Sequence, residues 1–88
     1  MEFSTIPNSI EVSRDGKILT VCHGNMVSFW NLSNLENIKE YEIPTKVLSA
    51  TLHPDGNVFV CGGEDFKMYK YDYDSGNELG LATPYLLL

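Results

Sequence analysis

Asp15-Gly16 recurs forty residues later as Asp55-Gly56, and the residues around the two pairs keep the same order of types. Ser13-Arg14-Asp15-Gly16-Lys17 aligns with His53-Pro54-Asp55-Gly56-Asn57, and Ile18-Leu19-Thr20-Val21 aligns with Val58-Phe59-Val60-Cys61. Past the next turn the offset becomes forty-one, which sets Phe29-Trp30-Asn31 on Lys70-Tyr71-Asp72 and reads as a one-residue change in a hairpin. A period of this size limits the fold more than composition does, because each unit is one supersecondary element that cannot bury its apolar face alone. The chain must stack two copies of one small unit.

Each copy divides into four short segments rich in β-branched and aromatic residues, separated by Asp-Gly, Gly-Gly or Asp-Ser-Gly turns at hairpin spacing. The pattern predicts strands over Ser9 to Ser13, Ile18 to Cys22, Val27 to Asn31 and Asn37 to Glu42. The second set runs over Val47 to His53, Val58 to Cys61, Lys67 to Asp72 and Glu78 to Ala82. No long segment keeps a helical period. The second strand of each copy is almost continuously apolar, which predicts cover on both faces.

Eighty-eight residues allow one small core, and an apolar share of 43% is that of a chain that packs. Twelve acidic against six basic side chains give a net charge of −6, the wrong sign for gripping a phosphate backbone, so no direct nucleic-acid partner is expected. The start, MEFSTIPNS, has neither a basic nor an apolar signal region, and no stretch approaches the roughly 20 apolar residues of a membrane span. An intracellular protein without membrane contact is the expectation. Cys22 and Cys61 lack a Cys-x-x-Cys spacing, so reduced thiols and no disulfide are expected.

Four strands per repeat of about forty residues resemble the WD-repeat family, in which a Trp-Asp pair ends the third strand. Trp30-Asn31 and Tyr71-Asp72 stand in that place. The resemblance implies an all-β fold of two four-stranded antiparallel WD-repeat blades from an incomplete β-propeller, with residues 1–43 and 44–80 as blades and 81–88 as a divergent apolar tail. Asp65 matches the family's turn aspartate, whose carboxylate ties the hairpin between the second and third strands. Gly24 stands in its place in the first copy, so that tie is missing there. Glu42-Ile43 replaces the family's Gly-His pair, which predicts that the Asp-His-Ser-Trp hydrogen-bond relay does not form. Two blades fall short of the about four to eight that close a propeller, so a truncated or alternatively ended product, or a partial gene model, is expected.

Within the family, the string from Gly62 to Tyr73, together with Val27 to Asn31 and Leu52-His53-Pro54, is similar to the late blades of a branch of adaptor proteins. That likeness implies association with the survival-of-motor-neuron complex in spliceosomal ribonucleoprotein assembly and mRNA splicing. It also implies negative regulation of TGF-beta receptor signalling, and a cytoplasmic and also nuclear location. The alternatives are a WD-repeat subunit of a translation initiation factor complex, or a fragment with no function of its own.

Asp15, Gly16, Asp55, Gly56, Trp30, Asn31, Asp65, Tyr71 and Asp72 are read as structural residues of turns and strand ends. Asn25, Thr45, Lys46, Glu64 and Phe66 are the exposed candidates for protein contact. Catalytic residues, cofactors and metals are not expected. Cys22, His23, His53 and Cys61 are zinc-ligand types at spacings that do not suit a site, and Cys61 sits in an apolar strand. Glu64 and Asp65 are neighbours on a strand end, where side chains diverge instead of converging on one substrate. Met68, Tyr69, Tyr71 and Tyr73 could line a peptide groove, although alternation assigns half of them to the core. Self-association of the isolated chain follows from its open sheet edges and from the leucines after Glu78.

Overall fold

The structure, a computed structural model, describes residues 2, 3 and 5–82. Eight strands follow in order: β1 (Pro7–Val12), β2 (Ile18–His23), β3 (Met26–Asn31), β4 (Asn37–Glu42), β5 (Val47–Leu52), β6 (Val58–Gly63), β7 (Met68–Asp72) and β8 (Glu78–Ala82). They form two four-stranded antiparallel sheets, β1-β2-β3-β4 and β5-β6-β7-β8. Each predicted strand is present, with no end moved by more than two residues. β8 reaches Ala82, two residues into the segment expected as tail, and residues 83–88 lie outside the described part.

The turns explain the strands. Gly16 and Gly56 close the first hairpin of each sheet with φ of 75° and 77°, a left-handed conformation that costs glycine little. In each, the preceding aspartate accepts the amide two residues on: Lys17 N–H to Asp15 Oδ1 at 3.0 Å and Asn57 N–H to Asp55 Oδ1 at 2.8 Å. After the third strand Asn31 accepts the amide two residues on and Asp72 the amide three residues on. Asn31 Oδ1 accepts from the Ser33 amide and hydroxyl at 2.9 and 2.7 Å, and Asp72 Oδ2 accepts from those of Ser75 at 2.9 and 2.8 Å. These side chains fold the chain back locally before any long-range contact forms.

Alternation along the strands puts Cys22, Val27 and Phe29 on the face of the first sheet that meets Ala50, Leu52, Phe59, Cys61, Tyr69 and Tyr71 of the second. The core is therefore a seam between two sheets. Phe29 packs edge-on against Phe59 and Tyr73 with ring centroids 5.0 and 4.9 Å apart, while Phe59 stacks on Tyr41 and Tyr71. Each buried ring of this kind contributes about 1.5–3 kcal/mol through burial alone. Tyr69, Tyr71 and Tyr73 are all buried, so the stripe considered as a peptide groove is seam packing.

The two central strands differ from expectation in one respect. β2 is buried from Thr20 through His23, as a strand covered on both faces should be. In β6 only Phe59 and Cys61 are buried, whereas Val60 and Gly62 are half-open. Among the described residues no third sheet covers the far face of β6, and that is the physical reason.

Candidate functional site

The β2–β3 turn, the β4–β5 linker and the β6–β7 turn meet along one edge of the molecule. Main-chain hydrogen bonds hold them there: Ile43 N–H to Asn25 O at 2.7 Å, Val47 N–H to Gly24 O at 2.9 Å and Glu64 N–H to Lys46 O at 3.1 Å. The Asn25 side-chain amide adds a bond to Glu42 Oε1 at 3.1 Å. Asn25, Lys46, Glu64 and Phe66, spread over forty residues of sequence, thus share a continuous rim. All four are exposed, Phe66 at 80%. Phe66 also holds φ at 64°, a conformation uncommon for a bulky side chain, which displays the ring at the tip of its turn.

Thr45 differs from its expected role as an exposed contact. It is half-buried, and its methyl group lies over Gly63 so closely that a Cβ there would run into it. Thr45 packs the linker onto the turn.

Asp65 accepts the Lys67 amide at 3.2 Å and the Tyr69 phenol, which ties the β6–β7 turn to its own strand. The hydrogen bond to Asp65, with burial second, pushes the Tyr69 phenol up to about 12. Desolvation pushes Tyr71 and Cys61 up to about 12 as well, and raises Cys22. Such thiols are poor nucleophiles and poor metal ligands at neutral pH. His53 is exposed in its turn, with Nδ1 3.0 Å from Asp55 Oδ1. Among the described residues no three His, Cys, Asp or Glu side chains converge on a point that could hold a metal. Glu64 projects into solvent while Asp65 turns to Tyr69, so the two carboxylates diverge.

The first sheet holds a network other than the usual Asp-His-Ser-Trp relay. Although the Gly-His pair is missing, a His-Ser-Trp network forms: Trp30 Nε1–H donates to Ser28 Oγ at 2.9 Å, and His23 Nε2 lies 3.2 Å from the same oxygen. The histidine comes from the end of β2 rather than from the linker ahead of β1. Glu40 Oε2 stands 3.8 Å from His23 Nε2 on the other side. Phe3 closes over both rings, with centroids 4.7 Å from His23 and 5.6 Å from Trp30. Sequence reasoning missed this group, yet a signal was present. Glu2-Phe3-Ser4-Thr5 precedes Glu42-Ile43-Pro44-Thr45 by forty residues, so the repeat includes the linker. Thr5 faces Gly24 as Thr45 faces Gly63.

Solved structures show the same architecture. The WD40 repeats of RRP9 match with a TM-score of 0.79 at 12% identity, over 94% of this chain and 27% of that one. Hsv2 from Kluyveromyces lactis matches with a TM-score of 0.71 at 12% identity, over 81% of this chain and 24% of that one. The two sheets are WD-repeat blades. Rat serine-threonine kinase receptor-associated protein is 44% identical to this WD-repeat chain over 79 residues, covering 90% of the chain and 23% of the relative. The protein of the same name from Dictyostelium discoideum is 41% identical over 71 residues, covering 81% of the chain and 24% of the relative. This is the protein that the string from Gly62 to Tyr73 resembles. The WD-repeat chain spans about a quarter of the length of these curated relatives. No protein-family model matches it.

Proposed function

We propose that this WD-repeat chain is a non-catalytic interaction scaffold that presents its turn-and-linker rim to other proteins. Its partners, on this reading, are components of the survival-of-motor-neuron complex or proteins of TGF-beta receptor signalling, met in the cytoplasm and the nucleus. The observation that carries the reading is the 44% identity with serine-threonine kinase receptor-associated protein over 90% of this chain. The rim adds the means: exposed Asn25, Lys46, Glu64 and Phe66 lie on one edge, held by main-chain bonds. An exposed aromatic flanked by charged side chains is the composition of an interface anchor.

The test is direct binding of the purified chain to the cytoplasmic kinase domain of a TGF-beta receptor and to purified survival-of-motor-neuron complex. Saturable binding to either, weakened about tenfold by Phe66→Ala or Lys46→Glu, is the expected result. Absence of binding to both, or binding untouched by either substitution, would overturn the proposal.

A further inference from the structure

We propose that the hollow beside the Phe3–Trp30 ring contact receives the guanidinium group of an arginine, carried by a basic segment of a partner protein. This rests on the reading of the chain as a protein-binding scaffold and names the chemistry of one contact.

The hollow has a volume of about 350 Å³ and is lined by Phe3, His23, Met26 and Trp30 together with Glu2 and Glu40. Phe3 and Trp30 stand almost perpendicular, at 79°, and so form two adjoining aromatic walls. The Trp30 ring cannot drift, because its N–H is held by Ser28. Fixed aromatic walls with carboxylates beside them attract a cation through both ring quadrupole and charge.

Among the described residues no lysine or arginine lines the hollow, and the basic side chain there is His23, 3.8 Å from Glu40. Among the described residues the close contacts between basic and acidic side chains are His23 with Glu40 and His53 with Asp55, so neither Glu2 nor Glu40 is paired with a lysine or arginine. With twelve acidic and six basic side chains, the chain has few cations to supply.

In the second blade Ile43 stands at the position corresponding to Phe3; it is fully buried, and its amide is bonded to Asn25 O of the first blade's β2–β3 turn. Phe3 is only half-buried. A guanidinium suits the first blade's hollow better than an ammonium does. It is planar, stacks on aromatic faces and presents parallel donors to a carboxylate.

Trp30 is the sole tryptophan of the chain, so its emission reports on this hollow alone. The experiment titrates the full chain at low salt with a blocked glycyl-arginyl-glycine peptide, and in parallel with its lysine and citrulline counterparts. Saturable change with the arginine peptide in the millimolar range is expected. Citrulline in the peptide, or Glu40→Gln in the protein, should weaken binding about tenfold, the order of one charge-assisted contact. Glu2→Gln should weaken it in the same direction, and Glu64→Gln at the far end of the rim should leave it unchanged. No saturable change, citrulline or lysine binding as well as arginine, or parental affinity in both Glu40→Gln and Glu2→Gln would overturn the assignment. Partner binding with no response to the arginine peptide would sink this inference and leave the scaffold reading. A response to the peptide without partner binding would do the reverse.

Discussion

Asp65 and Asn25 sit in corresponding turns of the two blades, yet only one of them holds its turn together. The Asp65 carboxylate accepts the Lys67 amide and the Tyr69 phenol, whereas the Asn25 side chain makes one exposed bond to Glu42. Asp65→Ala should cost about 1–3 kcal/mol, because it strands a buried phenol, while Asn25→Ala should stay within about 0.5 kcal/mol. Denaturant midpoints compare the two, and equal midpoints would contradict the account. The turn aspartates also predict an acid response. Asp15, Asp55 and Asp72 are held below the usual carboxylate range, first by the Ser13 hydroxyl, the Asn57 amide and the Ser75 amide respectively. A carboxyl depressed in the folded state adds stability above its unfolded value of about 3.9 and loses it as pH falls through the folded value. Asp72→Asn should therefore flatten the decline of the thermal midpoint below about pH 4. A decline as steep as the parent's would rule this out. These turn residues were legible because they act within a few positions of themselves. His23 was not, since its approach to Ser28 depends on the β2–β3 register, and Phe3 was hidden because it repeats Ile43 only in apolar character.

At the scale of the strand, β2 and β6 are copies under different cover. Thr20 is buried at the seam with no hydrogen-bond partner for its hydroxyl, and the corresponding position in the second blade is Val60. Replacing the hydroxyl with a methyl group removes a desolvation cost and leaves the shape almost unchanged. Thr20→Val should stabilise the chain by about 1 kcal/mol, read from the denaturant midpoint at constant slope. Destabilisation would mean that the hydroxyl has a partner after all. All eight strands could be placed from turn residues and β-type runs, because hairpin spacing and side-chain alternation are local properties. Which faces end up covered is not local. The apolar run Val58-Phe59-Val60-Cys61 reads as a doubly covered strand, but half of it stays open because cover depends on a neighbouring sheet.

The whole molecule is held at its seam by aromatic packing and by main-chain bonds from the linker. Proline at 47 removes the bond from Val47 N–H to Gly24 O, and Pro7, which opens β1 as Val47 opens β5, shows that the backbone there accepts it. Val47→Pro should cost about 1–3 kcal/mol by leaving the Gly24 carbonyl unpaired, in addition to the loss of a fully buried valine side chain. It should also speed hydrogen exchange at the neighbouring Ile43 amide, and unchanged exchange would show that the linker is held by side chains. The outer face of the first blade leaves Ile10 and Val12 exposed at 67% and 51%, so the isolated chain is expected to self-associate. Light scattering on a sizing column checks this. A single monomeric peak with protected amides in all eight strands would contradict it.

Bonds between main-chain atoms leave no trace in the identity of the side chains. A lineage can replace Asn25, Ile43 or Lys46 with almost any residue and keep the spacing of its blades, provided that the amides of 43, 47 and 64 remain. Two sequences can then diverge until little more than one position in ten agrees while their backbones still superpose, as this chain and RRP9 do. Proline is the exception. In a set of such sequences, its exclusion from those three positions would be the mark of selection on the joint itself.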